Sequence, residues 1–415
     1  MMRTLTALAL WAGLCATASA AEPITLGLNY PRTGSYKEEG LAQMRGALLA
    51  VDEINAKGGV LGRQLRIVSR DTASRPEKAV NNVDRLIDEG AVMLFGGASS
   101  AVAIAASKRA KERGVLYFGT LTYSNDTTGK NGHRYMFREC NSAWMSARVL
   151  GQYLAKTLPN KRYFYITSDY TWGTTSESSL RQTTGSTDAA KHPGVKVPFP
   201  GARLADYRDA LTKAANSDAQ VLALVLFGDD LVRAMRIADE LGLTRRMQIV
   251  APNLTQSMVD QAGPGLMQGV IGTEPWTWRV PELEKSARGQ AFVQHYSERY
   301  ALYPSSSAAS AYSIVYQWAD AVGRARSLDS ESLIKSLEGH QYQLLKGAQE
   351  WRSFDHQNVQ TVYAVKVRPR DDIMHDRNKQ DYFEIVDRLD GTQAAPSLEE
   401  WKQERTAAGQ PPQLQ

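Results

Sequence analysis

Asp52-Glu53-Ile54-Asn55-Ala56-Lys57-Gly58-Gly59-Val60-Leu61-Gly62-Arg63-Gln64-Leu65, continuing to Asp71, joins two kinds of apolar periodicity. Upstream of it Leu41, Met44, Leu48, Val51 and Ile54 recur every three or four residues, the spacing of one helix face. Gly58-Gly59 stops that helix, because glycine adopts the left-handed backbone that a helix end needs. Leu65-Arg66-Ile67-Val68 then reads as a strand. With the strand Ile24–Tyr30 ahead of the helix, the stretch predicts one βαβ unit.

The pattern extends outward from there. Pro76 opens a helix carrying Val80, Val83, Leu86 and Ile87, and Val92-Met93-Leu94-Phe95 is an apolar run typical of a buried parallel strand. A helix from Ser100 to Arg113 and a strand at Val115–Phe118 follow. Such alternation predicts an α/β fold built on a doubly wound parallel sheet. It restarts at Tyr163–Ile166, with further strands at Val221–Leu226 and Gln248–Val250, which predicts a second sheet. Phe137-Arg138-Glu139-Cys140 reads as a crossing segment between the two. Helices are expected at about 282–300, 309–325 and 329–337, and short apolar segments near 347–366 and 382–387. From Gly391 on, Pro396, Pro411, Pro412 and several glutamines predict a poorly ordered, flexible tail over 391–415.

The amino terminus has a positive start, Met1-Met2-Arg3, an apolar run through Leu14 and a small-residue site at Ala18-Ser19-Ala20. This predicts a secretory signal over residues 1–21, cleaved after Ala20 or Ala21, and a periplasmic location. The apolar run is shorter than the ~20 residues of a spanning helix. Leu14 stands where a lipid-attachment motif at Cys15 would have a small residue. Cys140 alone remains after cleavage, so no intrachain disulfide is expected, and the residue reads as a small buried hydrophobe. The formal net charge of +5 comes from interspersed acids and bases, with no basic stripe interleaved with aromatics. Nucleic acid is therefore not implied as a partner. The histidines are scattered without metal-ligand spacing, and neither a Gly-x-Ser-x-Gly elbow nor a phosphate loop is present. No catalytic residues, metal or cofactor are expected.

The loops at the ends of the predicted strands resemble those of one family in order along the chain. Tyr30-Pro31-Arg32-Thr33-Gly34-Ser35-Tyr36, Phe95-Gly96-Gly97-Ala98-Ser99-Ser100, Gly119-Thr120-Leu121-Thr122-Tyr123 and Ile166-Thr167-Ser168-Asp169-Tyr170-Thr171-Trp172-Gly173 are similar to loops of type I periplasmic solute-binding proteins. The resemblance is to the branched-chain amino acid, amide and urea group. It implies two doubly wound lobes joined by a three-segment hinge, with lobe one at 22–139 plus 275–350 and lobe two at 140–274 plus 351–390. It also implies a monomer that captures a small organic solute for the membrane permease of an ATP-driven importer. A sensor that reports ligand occupancy to a membrane receptor or kinase, or a binder of urea-like amides, is the alternative.

On this reading the ligand contacts are Ser99, Ser100, Thr120, Thr122 and Tyr123 from lobe one, with Tyr170, Trp172, Phe227, Asp229 and Asn253 from lobe two. Ser99 or Ser100 caps a helix whose free amides suit a carboxylate or another acceptor-rich group. Tyr170 and Trp172 are read as loop aromatics with a cleft to face and little core to fill. Asp229 and Asp230 either cap their helix or receive an ammonium. Asn253 stands where branched-chain binders carry an acid, which argues against a zwitterionic ligand unless Asp229 or Asp230 takes that role. Trp276 and Trp278 suit the pocket and interlobe packing equally.

Overall fold

Residues 21–415 are described by a computed structural model, so the expected leader lies, apart from Ala21, outside the described residues. Helix α1 (Lys37–Ala56) ends where Gly58 and Gly59 take φ of 98° and 78°. A Cβ on Gly59 would lie 2.0 Å from the Arg63 carbonyl oxygen, so the chain turns back on itself at that point. Asn55 locks the turn: its side chain donates to the Leu65 carbonyl at 2.9 Å and accepts from the Leu65 amide at 2.7 Å. The opening of strand β2 (Leu65–Asp71) is thereby fixed beside β1 (Ile24–Tyr30).

The chain continues through α2 (Pro76–Asp88), β3 (Ala91–Gly96), α3 (Ser100–Glu112), β4 (Tyr117–Gly119) and β5 (Met136–Arg138). These strands form a five-stranded sheet in the order β2-β1-β3-β4-β5, with every pair parallel. Phe137 and Arg138 thus belong to an edge strand, and the crossing expected over 137–140 begins only at Glu139. Next come α4 (Ala143–Thr157), β6 (Tyr163–Ser168), α5 (Thr171–Thr184), β7 (Gly194–Val197), α6 (Leu204–Ala215), β8 (Val221–Val225), α7 (Asp229–Glu240), β9 (Gln248–Ala251) and β10 (Ile271–Glu274). Their order, β7-β6-β8-β9-β10, repeats the pattern of the first sheet. The fold is therefore two doubly wound α/β lobes, as expected.

Helices Ala287–Tyr300, Ser306–Ala325 and Ser330–Leu337 return to the first lobe. A Cβ on Gly46 of α1 would meet the Ala308 carbonyl oxygen at 2.1 Å, so α1 and the Ser306–Ala325 helix lie backbone against backbone. A small sheet of β11 (Gln341–Tyr342), β12 (Gln349–Trp351) and β13 (Asn358–Val359) follows. Trp351 packs edge-on against Phe118 and Phe137 of the first sheet, with ring centroids 5.8 and 5.7 Å apart. Residues 351–357 therefore stay with the first lobe, with His356 stacked on Phe137 at 3.9 Å. Val359 packs with Met145 and Val149 of the second lobe, so the last crossing comes later than expected. Strands β14 (Val362–Val367) and β15 (Phe383–Leu389) then extend the second sheet, antiparallel, beyond β10.

The tail also departs from expectation. Residues 398–407 form a helix whose Ser397 and Glu400 make a capping box. Buried Trp401 donates to the Thr128 carbonyl at 2.8 Å, and buried Arg405 donates to the carbonyls of Gly129 and Gly132. The Pro and Gln content of the segment points to a loose tail, but these two anchors hold it against the first lobe.

Candidate functional site

In sheets of this order, ligands bind beyond the carboxyl ends of the strands, where the winding reverses. That point falls between β1 and β3 in one lobe and between β6 and β8 in the other. The loops leaving these four strands carry Tyr36, Ser99, Tyr170 and Phe227, with Trp172 just beyond Tyr170 at the start of α5.

The two lobes meet there. Asp71 organises the β1 loop by accepting the Arg32, Thr33 and Ala73 amides at 2.9, 3.1 and 2.8 Å and the Thr33 hydroxyl at 2.8 Å. Burial works to raise the Asp71 carboxyl, yet these bonds hold it well below the usual range. The loop delivers Tyr36 to the second lobe, where its ring stacks on Phe199 at 5.6 Å and meets Phe227 edge-on at 5.2 Å. Its hydroxyl shares a hydrogen bond with Tyr170 at 3.3 Å. Glu39, one turn further along α1, accepts from Thr255 at 2.6 Å and from Ser257, both of the second lobe, as well as from Ser307.

The predicted residues converge in part. Tyr170, Trp172, Phe227 and Tyr123 form a continuous aromatic wall with Tyr36 and Phe199. Tyr170 stacks on Phe199 at 4.1 Å, Trp172 meets Phe227 edge-on at 5.8 Å, and Tyr123 lies 6.0 Å from Phe227. Ser99 precedes α3 without capping it by its side chain, and its hydroxyl is buried with no partner among the described residues. Ser100 instead accepts from the Ser124 amide at 2.9 Å and ties the β3 and β4 loops together. Thr120 spends its hydroxyl proton on the Gly97 carbonyl at 2.6 Å, and Thr122 pairs with Thr127 at 2.7 Å.

Trp172 lies in the first turn of α5, not on a loop, and is only 2% exposed. Its indole donates to Asn253 at 3.2 Å, and Asn253 in turn donates to Ser146 at 3.2 Å. The expectation that Trp172 has little core to fill is thus corrected, because it is enclosed by its own lobe. Asp229 sits half-buried in the first turn of α7, where a carboxylate complements the helix dipole. Trp276 packs against Phe292 of the Ala287–Tyr300 helix at 5.7 Å, and Trp278 stacks at 3.9 Å on Tyr303 in the connection between two returning helices. Cys140 accepts from the Thr122 amide, and burial pushes its thiol up to about 12.

Sequence reasoning missed Tyr36, Glu39, Phe199 and Glu274. Tyr36 was within the quoted β1 loop, and its place one residue ahead of a helix was the available signal. Glu274 ends β10, is 2% exposed, and has Oε2 without a partner among the described residues. The Tyr123 hydroxyl and Gln43 Oε1 are likewise buried and unpartnered. Each such atom costs about 1–3 kcal/mol unless something bonds it.

A family model described as periplasmic binding protein matches residues 23–372. An amino acid binding protein of Pseudomonas aeruginosa is 29% identical over 352 residues, covering 79% of this chain and 86% of the relative. A periplasmic binding protein of Burkholderia mallei superposes with a TM-score of 0.82 at 24% identity, over 91% of this chain and 97% of that one. A solute binding protein of an ABC transporter from Rhodopseudomonas palustris, solved with 3,4-dihydroxybenzoic acid, gives 0.77 at 18% identity over 89% and 98%.

Proposed function

The chain belongs to the periplasmic binding protein family, and we propose that it is the exported solute receptor of an ATP-driven importer. It acts as a monomer, closes its lobes on one small organic molecule and presents the closed form to a membrane permease. One observation carries this reading. Unpartnered buried atoms of Ser99, Gln43, Tyr123 and Glu274 and an aromatic wall from both lobes gather around the strand ends where such sheets bind ligands.

The ligand has an acceptor group, such as a carboxylate or amide, set against Ser99 and the α3 amides, where the helix dipole favours negative charge. Its apolar or planar part lies against Tyr123, Tyr36, Trp172 and Phe227. The relatives support amino acids and aromatic acids as the classes to test first. Thermal-shift screening against amino acids, aromatic carboxylates, short amides and sugars tests the reading, since a ligand at 100 times its Kd stabilises by about 2.7 kcal/mol. Stabilisation by sugars alone would refute it. Deleting the gene abolishes uptake of the stabilising ligand if the partner is a permease, and leaves uptake intact if the protein serves a sensor.

A further inference from the structure

We propose that residues 391–415 form a strap that crosses between the lobes a fourth time and limits how far they open. This rests on the lobes opening and closing around a ligand, as proposed above. The strap lies beyond the segment that the family model matches, which ends at residue 372. The resemblance implies three crossings, and this chain adds one to them.

The strap has an anchor on each lobe. Strand β15 ends at Leu389 in the second lobe, and Ala394 and Ala395 are buried beside Met145 and Val149 of α4. Arg148, also of α4, donates to the Gln393 carbonyl at 3.0 Å and to the Ala395 carbonyl at 3.4 Å. From Ser397, its cap, the helix Leu398–Ala407 sits on the first lobe. Besides its bond to Thr128, Trp401 meets the Phe354 ring at 5.3 Å. Arg405, already bonded to Gly129 and Gly132, also donates to the Pro411 carbonyl at 2.6 Å and to the Gln413 carbonyl at 3.2 Å. The Arg134 amide donates to the Gln415 carbonyl at 3.1 Å, so the first lobe holds the segment along its length.

Pro396 alone lies between the two anchors. Two Cα steps span at most ~7 Å, and the proline ring fixes one of the backbone angles between them. An arginine of each lobe grips this point. Arg352 of the first lobe donates to the Pro396 carbonyl at 2.7 Å, and Arg148 of the second reaches past it to Glu400 at 3.1 Å. The crossing therefore has no slack. As the lobes part, either the anchors stay within this short reach and opening stops early, or one anchor tears away. Tearing would strip buried Trp401 and Arg405 of their partners, which favours the first course. A hollow of about 610 Å³ separates the helix from Thr174 and Ser178 of α5. The restraint thus passes through the crossing peptide and not through packing of the helix on α5.

The test gives the strap slack without removing it. Six residues of glycine and serine inserted between Pro396 and Ser397 add up to ~20 Å of reach and leave both anchors and the capping box in place. The same six residues appended after Gln415 serve as the control, and a further variant ends the chain after Asp390. Small-angle scattering on the ligand-free proteins reads opening, and hydrogen exchange over 398–407 reads attachment. The expected result is a larger radius of gyration in the insertion and shortened variants than in the parent and control. Residues 398–407 stay as protected in the insertion variant as in the parent. Affinity for whichever of L-leucine, L-phenylalanine and 3,4-dihydroxybenzoate the parent binds should fall about three-fold or more, because slack enlarges the open population. Should the shortened chain fail to fold, the insertion variant alone decides. Equal radii in the ligand-free proteins overturn the strap, and so does fast exchange over 398–407 in the ligand-free parent. If the proteins of equal radius all contract with one of those probes, the lobe-closing reading stands and only the strap falls. If none contracts with or binds any compound of the wider screen, that reading falls as well.

Discussion

Gly228, just ahead of α7, and Tyr36, just ahead of α1, meet across the cleft so closely that a Cβ on Gly228 would lie 2.6 Å from Tyr36 Cδ1. The same atom would lie 2.8 Å from the Ser35 carbonyl oxygen, and the Gly228 φ of 59° is one that side-chain-bearing residues avoid. Only glycine lets the lobes close this far. Gly228→Ala should weaken binding ten-fold or more and leave the ligand-saturated protein with a larger radius of gyration by small-angle scattering. A saturated variant as compact as the parent would show that the clash is absorbed within one lobe.

Trp172 has partners drawn from its own lobe, namely Asn253, Phe227 and Tyr170, so its packing persists when the lobes part. Trp172→Ala should then cost the ligand-free protein about 3–5 kcal/mol, as for other buried large-to-small changes. It should also weaken ligand binding by roughly 0.5–1.5 kcal/mol through loss of an aromatic contact. Scanning calorimetry on the empty variant and titration on the folded one separate the two. An unchanged melting temperature would return Trp172 to a purely ligand-facing role.

Asp71 offers a test with pH. Its carboxyl titrates below the unfolded value of ~3.9 because the folded protein bonds the ionised form. Its contribution is therefore fully present above pH ~4 and is lost as pH falls through the lower, folded value. Asp71→Asn should lose about 1–3 kcal/mol at pH 7, the range for hydrogen bonds to a charged group. The gap to the parent should narrow as both are unfolded by urea at successively lower pH. A gap independent of pH would mean that shape, not charge, holds the Tyr36 loop.

The parts of this protein that could be read in its sequence are those built from neighbours in the chain. The Gly58-Gly59 stop and the apolar strands each depend on a few adjacent residues. The strand-end loops followed, because their position is a consequence of winding order. Residues whose role arises when two lobes meet gave no comparable signal. Phe199 lies in an irregular stretch after β7 and joins the wall only through Tyr36 and Tyr170. Glu274 sits in Thr-Glu-Pro at a strand end, which reads as an ordinary exit from a sheet. Its burial depends on α1, on the Ser306–Ala325 helix and on Lys346, all distant in sequence. Trp172 reads as a loop residue because it follows Tyr170 between an apolar strand and Gly173, whereas Gly173 packs against the Ser168 carbonyl inside the first turn of α5.

Lys346 joins the chain crossings between lobes. It donates to Pro275 in the second crossing and to Gln360 and Thr361 in the third, and Gln360 donates to the Glu139 carbonyl in the first. Lys346→Met keeps the apolar stem but strands these acceptors and leaves the buried Glu139 without its nearby cation. Removing one partner of a buried charged set costs about 3–5 kcal/mol, so urea unfolding should show a loss of that size. The crossings would also be less firmly tied, and hydrogen exchange at 139–142, 275–279 and 359–362 should quicken ahead of the sheet interiors. A stability loss under ~1 kcal/mol, with those segments as protected as in the parent, would show that the backbone of the crossings holds the hinge without Lys346.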